Sequence, residues 1–216
     1  MSEKTTLVTT EHVRYLAART RQEDAFLRDL KTAALALGIP PIWIAPEQAS
    51  CMQILLRLMG AQEVVEVGTL AGYSAIAMAR GLGSVGRVRT IEIDPAHADF
   101  AEEWIGKSDV AGRVEVLRGN AATILPELAT NSADAAFLDA DKPGYALYLE
   151  QCLRIVRPGG LIMVDNAFAF GHLFDTQSED PNVAAIRAFN DRLAAQSGLQ
   201  GVIVPIGDGL WVCVKD

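Results

Sequence analysis

Between residues 63 and 164 one pattern repeats five times: a short run rich in β-branched and other apolar residues, then a longer stretch with helical spacing. The runs are 63–67, 87–91, 113–117, 133–138 and 161–164. Strands separated by ten or more residues of helix cannot be joined as hairpins, so they pair in parallel, with the helices packed on the sheet. The rhythm changes at the end. Runs 201–205 and 210–214 are joined only by Ile206-Gly-Asp-Gly209. So short a link makes a hairpin, and the last strand must run antiparallel. Ahead of the sheet lies a helical lead-in over 1–59. Val13, Leu16 and Ala17 form one short apolar face, and Phe26, Leu27, Leu30, Ala34 and Leu37 a longer one, stopped by Gly38 and Pro40. Segment 40–46 is an extended connector, because each proline turns its predecessor away from the helical region, and Pro46 suits the first turn of a helix over 46–59. The expected fold is one α/β domain over 1–216: the lead-in, then a core over 60–216 with seven strands, mostly parallel, the last antiparallel, and helices on both faces.

Composition narrows the class. Half of the 216 residues are hydrophobic and 21% are charged, enough apolar matter for a substantial core without disulfides. Cys51, Cys152 and Cys213 lie in apolar segments with neither paired nor metal-type spacing, so free thiols in a reducing cytoplasm are expected. The start Met1-Ser-Glu-Lys-Thr-Thr has no basic patch leading into an apolar stretch, and no apolar run approaches about 18 residues. Secretion and membrane spanning are therefore not expected. A formal net charge of −8 disfavours binding to a phosphate backbone.

Chemistry concentrates where strands end. Asp139 closes one apolar run, Asp165 and Asn166 close the next, and Lys142 follows in Phe137-Leu-Asp-Ala-Asp-Lys142. Adjacent strands lie about 4.8 Å apart, so one cation could bridge the two ends. Two carboxylates and an amide oxygen are hard ligands suited to Mg²⁺ or another divalent ion such as Ca²⁺ or Mn²⁺. A lysine beside such an ion is a candidate base. The bland alternative is that both acids merely start turns and Lys142 is an exposed ion-pair partner. A second cluster follows the first strand, Glu66-Val-Gly-Thr-Leu-Ala-Gly-Tyr-Ser74: Gly68 permits a sharp turn, and Gly72 permits a ligand to approach the backbone at a helix start. This is not the dinucleotide pattern G-x-G-x-x-G, and the acid before it would repel a pyrophosphate. A positive amino group would suit Glu66, and Glu92, ending the second strand in Ile91-Glu-Ile-Asp-Pro95, stands where acids accept from ribose hydroxyls. An ammonium plus a ribose describes S-adenosyl-L-methionine. Two other readings stay open: a nicotinamide-dependent oxidoreductase, and a non-catalytic cofactor-binding protein.

From about residue 44 onward the chain resembles the cation-dependent class I S-adenosylmethionine-dependent O-methyltransferases, the catechol and caffeoyl-CoA type, especially short bacterial members. The resemblance rests on Ala45-Pro-Glu-Gln48, Val65-Glu-Val-Gly-Thr69 with Gly72-Tyr-Ser74, Ile91-Glu-Ile-Asp-Pro95, Phe137-Leu-Asp-Ala-Asp-Lys142, Arg157-Pro-Gly-Gly160, Val164-Asp-Asn166 and Pro205-Ile-Gly-Asp-Gly209. It implies a Rossmann-like methyltransferase sheet and transfer of a methyl group to a small aromatic hydroxyl-bearing acceptor. It further implies cofactor contacts from Ile44, Glu66, Gly68, Thr69, Gly72, Tyr73, Ser74, Glu92, Ala121 and Asp139, metal ligands Asp139, Asp165 and Asn166, and Lys142 as base. A homodimer is implied as well. Ala49 and Asn120 depart from the family, where glycine and aspartate are common.

Methyl transfer from a sulfonium needs an oxygen nucleophile in place. A phenol, with a pKa near 10 judged by tyrosine, is little ionised at neutral pH, and a bound dication favours and orients the ionised form. His12, His97 and His172 share no ligand spacing. Trp43, Phe168 and Phe170 flank the cofactor loop and the metal pair, where an aromatic acceptor could be sandwiched, and the polar stretch 171–182 reads as a mobile loop at that edge.

Overall fold

The computed structural model describes residues 6–216; residues 1–5, part of the N-terminal segment assessed above for targeting, lie outside the described residues. The sheet contains β1 (Glu63–Val67), β2 (Arg87–Glu92), β3 (Val114–Arg118), β4 (Ala133–Leu138), β5 (Val156–Val164), β6 (Leu199–Val204) and β7 (Leu210–Lys215), in the order β3-β2-β1-β4-β5-β7-β6. The first five pair in parallel, and β7 runs antiparallel to both β5 and β6. The final strand therefore inserts between β5 and β6. Val164 pairs with Trp211, so the turn that joins β6 to β7 sits beside the carboxyl end of β5.

Among the described residues eight α-helices flank the sheet: α1 (Thr10–Ala17), α2 (Ala25–Ala36), α3 (Pro46–Leu58), α4 (Tyr73–Gly81), α5 (Pro95–Lys107), α6 (Ala121–Ile124), α7 (Tyr145–Ile155) and α8 (Pro181–Ala194). Local chemistry sets their starts: Asp24, Asp94, Asn120 and Asp180 accept from backbone N–H groups at the first turns of α2, α5, α6 and α8. One face of the sheet packs Leu30, Met52, Leu56, Ile76 and Phe137. The other packs Leu125, Leu138, Leu149, Ile155 and Ile162. Burying each such side chain stabilises the fold by about 1.5–3 kcal/mol. Among the described residues no helix is long and apolar enough to cross a membrane.

Three sequence expectations need correction. Strand β5 begins at Val156, five residues before the apolar run that marked it. Arg157-Pro-Gly-Gly160 reads as a break, yet the chain passes through it in extended form, with a register shift against β4 between Ala133 and Ala135. Asp134 anchors the irregularity by accepting from Arg157 Nε at 2.7 Å, and Gly160 is required because a Cβ there would overlap Val156. Second, the helical lead-in is interrupted between α1 and α2, and no residue of α1 is buried. Third, the last two residues of the expected mobile loop open α8, and Arg187 donates to the carbonyls of His172 and Leu173 at 2.7 and 2.8 Å.

Candidate active site

Register brings the site together. Val67 pairs with Leu138 and Leu138 with Val164, so the next residues, Gly68, Asp139 and Asp165, leave three adjacent strands at one level. Backbone bonds continue the alignment, from Asp139 N to Val67 O at 2.9 Å and from Asp165 N to Leu138 O at 3.0 Å. This is the carboxyl edge between β1 and β4, where the chain crosses to opposite sides of the sheet and ligands bind in such folds. Gly68 has φ +102°, and a Cβ would overlap the Asp139 carbonyl, so its glycine lets the two loops touch. Gly72 serves differently from expectation. Its φ is +82° and its absent side chain faces Ala101 and Ile105 of α5, so it starts α4 with left-handed backbone and lies outside the cavity lining.

A cavity of about 580 Å³ opens over this edge, within the size range of small-molecule sites. Ile44, Gly68, Thr69, Tyr73, Ser74, Glu92, Ala121, Asp139, Lys142 and Asn166 line it. Glu92 is preset: Oε2 accepts from Leu70 N at 2.8 Å and Oε1 from Asp94 N at 2.9 Å, leaving further lone pairs for ligand hydroxyls. The Thr69 hydroxyl turns to Thr90 at 2.6 Å, and the Tyr73 hydroxyl donates to Glu23 at 3.0 Å. Glu66 lies behind the lining, fully buried, and neither carboxyl oxygen has a hydrogen-bond partner. Burial pushes its carboxyl up to about 8, against the pull of the nearby Ser74 and Thr90 hydroxyls. A buried acid without partners fits a missing cationic ligand group.

At the other end of the cavity stands Lys142. Only 8% exposed, it is not the solvated lysine of the bland reading. Its Nζ donates to Asn166 Oδ1 at 2.6 Å, Tyr145 OH at 2.7 Å and Asp139 Oδ1 at 3.2 Å. Two of the three expected metal oxygens thus already converge on one positive centre. The third residue, Asp165, is buried outside the lining, where Gln48 Nε2 donates to Oδ1 at 2.8 Å. Burial, and then the charge of Asp139, push its carboxyl above the usual carboxylate range. Burial also raises the Tyr145 hydroxyl, keeping it protonated. Among the described residues no three His, Cys, Asp or Glu side chains cluster as a metal site; the donors expected from the sequence are two carboxylates and one amide. Of the aromatic candidates, Trp43 and Phe170 line the cavity, with Lys142 Nζ 5.8 Å from the Phe170 ring. Phe168 does not, its ring being packed on Gly209.

Other lining residues escaped the sequence reading. Ile93, 66% exposed, and His97, 3.9 Å from Glu92, flank the Glu92 end of the cavity. Ile93 lies within the Ile91-Glu-Ile-Asp-Pro95 motif and His97 just after it, but neither carried a ligand-type spacing. Asp141 and Tyr148 also line the wall, joined by a 2.6 Å hydrogen bond. Gln48 and Asp208 belong to motifs already visible, but their contacts span 117 and 42 residues.

Comparison with known proteins agrees with this geometry. The catechol O-methyltransferase of Niastella koreensis is 40% identical over 186 residues, covering 85% of this chain and 84% of the relative. The solved O-methyltransferase of Bacillus cereus, in complex with SAH, has a TM-score of 0.86 at 33% identity, covering 96% of this chain and 98% of that one. TomG of Streptomyces achromogenes, an O-methyltransferase involved in tomaymycin synthesis and solved with SAM, gives 0.84 at 30% identity over 95% and 96% of the two chains. The O-methyltransferase family profile matches residues 17–216. These matches set aside the nicotinamide-dependent and non-catalytic alternatives. With nearly the whole sequence matched and the same fold built around such a cavity, the chain belongs to the O-methyltransferase family.

Proposed function

We propose that this enzyme transfers a methyl group from S-adenosylmethionine to one hydroxyl of a small catechol-like or phenolic acceptor, assisted by Mg²⁺ or a similar divalent cation. One observation carries the reading: a buried lysine, bracketed by Asp139 and Asn166 oxygens, in the wall of a cavity whose other end holds the preset Glu92. Relatives named catechol O-methyltransferase and neighbours solved with SAH or SAM support it. The donor chemistry fits a hard cation, because oxygens from two adjacent strand ends already surround a positive atom. The partnerless Glu66 and the available lone pairs of Glu92 fit a ligand bearing an ammonium and a ribose.

When bound, S-adenosylmethionine supplies an activated methyl group, and the cation, held by Asp139, Asp165 and Asn166, supplies charge that favours an ionised hydroxyl. The protein's own groups do the positioning and move the proton. Glu92 accepts from the ribose hydroxyls through oxygens already fixed by two backbone amides. Gly68, Thr69, Tyr73 and Ser74 hold the methionine end, Glu66 answers its amino group from behind the lining, and Ile44 and Ala121 close on the rest. Trp43 and Phe170 wall the acceptor ring and orient it. Lys142, as the neutral amine, would take the hydroxyl proton on Nζ, and Tyr145 OH, which already faces Nζ, would accept from the ammonium so formed.

The same reading places the enzyme in the cytoplasm as a homodimer. The three cysteines are free, and the N-terminal layer exposes Leu37 and Leu58 by 72% and 80%, apolar surface that a second copy would cover. The test of function is direct: incubate the purified protein with S-adenosylmethionine and a vicinal diphenol and follow the methyl ether by mass spectrometry. Product should form with Mg²⁺ and vanish with a chelator. Turnover at full rate without metal would overturn the cation requirement, and cofactor binding without methylation of any diphenol would overturn the acceptor class.

A further inference from the structure

The β6–β7 turn is remote in sequence from the catalytic segments but lies against them. Ala167 N donates to Gly209 O at 2.9 Å and Phe168 N to Asp208 O at 2.8 Å, joining the turn backbone to backbone with the loop after β5. Gly209 leaves no room for a side chain, since a Cβ would come within 2.9 Å of the Phe168 ring. The half-buried Asp208 side chain adds two bonds, both to Oδ2: from Asn166 Nδ2 at 3.2 Å and from Phe170 N at 2.8 Å. Asn166, Ala169 and Phe170 have φ of 63°, 53° and 58°. Residues with a Cβ keep such left-handed backbone only where their surroundings hold them.

The two ends of an asparagine amide are alike in shape and opposite in function. In Asn166 the oxygen accepts from Lys142 Nζ while the nitrogen donates to Asp208. An ionised carboxylate only accepts, so it admits one orientation of that amide. Turned over, the amide would set its oxygen against a carboxylate and its NH₂ against an ammonium. We infer that Asp208 is a positioning residue: it fixes the Asn166 amide so that the oxygen faces the cation site, and through the same Oδ2 atom tethers the Phe170 backbone at the acceptor wall. The inference rests on the reading of Asn166 as a cation donor, and Asp208 itself touches neither cation nor substrate.

Because both bonds end on one oxygen, Asp208→Asn can keep them and Asp208→Ala cannot. In calorimetry without acceptor or S-adenosylmethionine, Asp208→Ala should bind Mg²⁺ or Mn²⁺ about 10- to 100-fold more weakly than wild type, and Asp208→Asn within about threefold of it, the usual scale for partners that orient metal ligands. Affinity for S-adenosylmethionine should stay unchanged, since Glu92 and the glycine loop are held by other contacts. A metal-free readout is the NMR signal of the Asn166 side-chain amide, which should move in Asp208→Ala and be restored in Asp208→Asn. Wild-type metal affinity in a folded Asp208→Ala protein, or equal impairment of the two variants, would overturn the inference. If wild type itself bound no divalent ion, the donor reading would fail, and an unmoved Asn166 amide signal would then reject the orienting role separately.

Discussion

Glu66 offers the sharpest check on how the cofactor end of the cavity is built. It sits one residue from the carboxyl end of β1, paired in register with Thr90 and Phe137, fully buried and without a hydrogen-bond partner. Burial raises its carboxyl from the ordinary 4.5 to about 8. The folded protein therefore keeps a proton that the unfolded chain has lost, so the stabilisation present below pH 4.5 is lost as pH rises toward 8. The slope is about 1.4 kcal/mol per pH unit. Between pH 5 and pH 8 the cofactor-free protein should lose up to about 4 kcal/mol through this one group, a large share of the 5–15 kcal/mol typical of a folded domain. Glu66→Gln removes the ionisation while keeping the shape. Urea unfolding of both proteins at several pH values should give stabilities that nearly agree at pH 5 and diverge steadily toward pH 8, the variant being the more stable. Other titrating groups, the raised Asp165 among them, are present in both proteins and cancel in the difference. Parallel curves would mean that the buried carboxyl is already ionised and stabilised in the absence of ligand.

Glu92→Ala should weaken S-adenosylmethionine binding by about 1.5–3 kcal/mol, measured by calorimetry; unchanged affinity would reject the ribose contact. Asp165→Ala should abolish metal-dependent methylation while leaving a cooperative thermal transition, and full activity in the variant would remove Asp165 from the cation site. Gly68→Ala should cost more than about 3 kcal/mol in stability, because the added Cβ meets the Asp139 carbonyl at a position with φ +102°. A variant of ordinary melting temperature would show that the β1 and β4 loops do not need their close approach.

Much of this was legible because the signals were periodic or punctuated. The runs of β1 and β4 coincide with their strands, since central parallel strands are apolar on both faces and stand out from amphipathic helices. Asp139, Asp165 and Asn166 are neighbours because parallel register carries sequence positions after strands to one edge. The misses have physical causes as well. Pro158 and two glycines hid the first half of β5, whose irregular pairing is held by the Asp134–Arg157 contact across 23 residues. At Gly72 the structure shows a need for positive φ, which in sequence looks the same as a need for ligand approach. Insertion of β7 between β5 and β6 leaves no local mark, and it is this insertion that brings Asp208 to Asn166 and Gly207 to Gln48. Ile93 and His97 line the cavity only because β2 ends beside it.

We propose that Lys142, lying among Asp139, Asn166 and Tyr145, takes the proton of the acceptor hydroxyl. The direct measurement is the turnover of Lys142→Ala on a series of phenolic acceptors of graded acidity, at saturating S-adenosylmethionine and Mg²⁺. Turnover should fall by roughly 10²- to 10⁴-fold on the least acidic acceptors, progressively less on the more acidic ones, with cofactor affinity little changed. Lys142→Arg should not rescue it, because guanidinium stays protonated. If the alanine variant instead lost stability and cofactor binding together, with any remaining turnover indifferent to acceptor acidity, Lys142 would be an ion-pair partner of the acids around it and the proton would leave by another route.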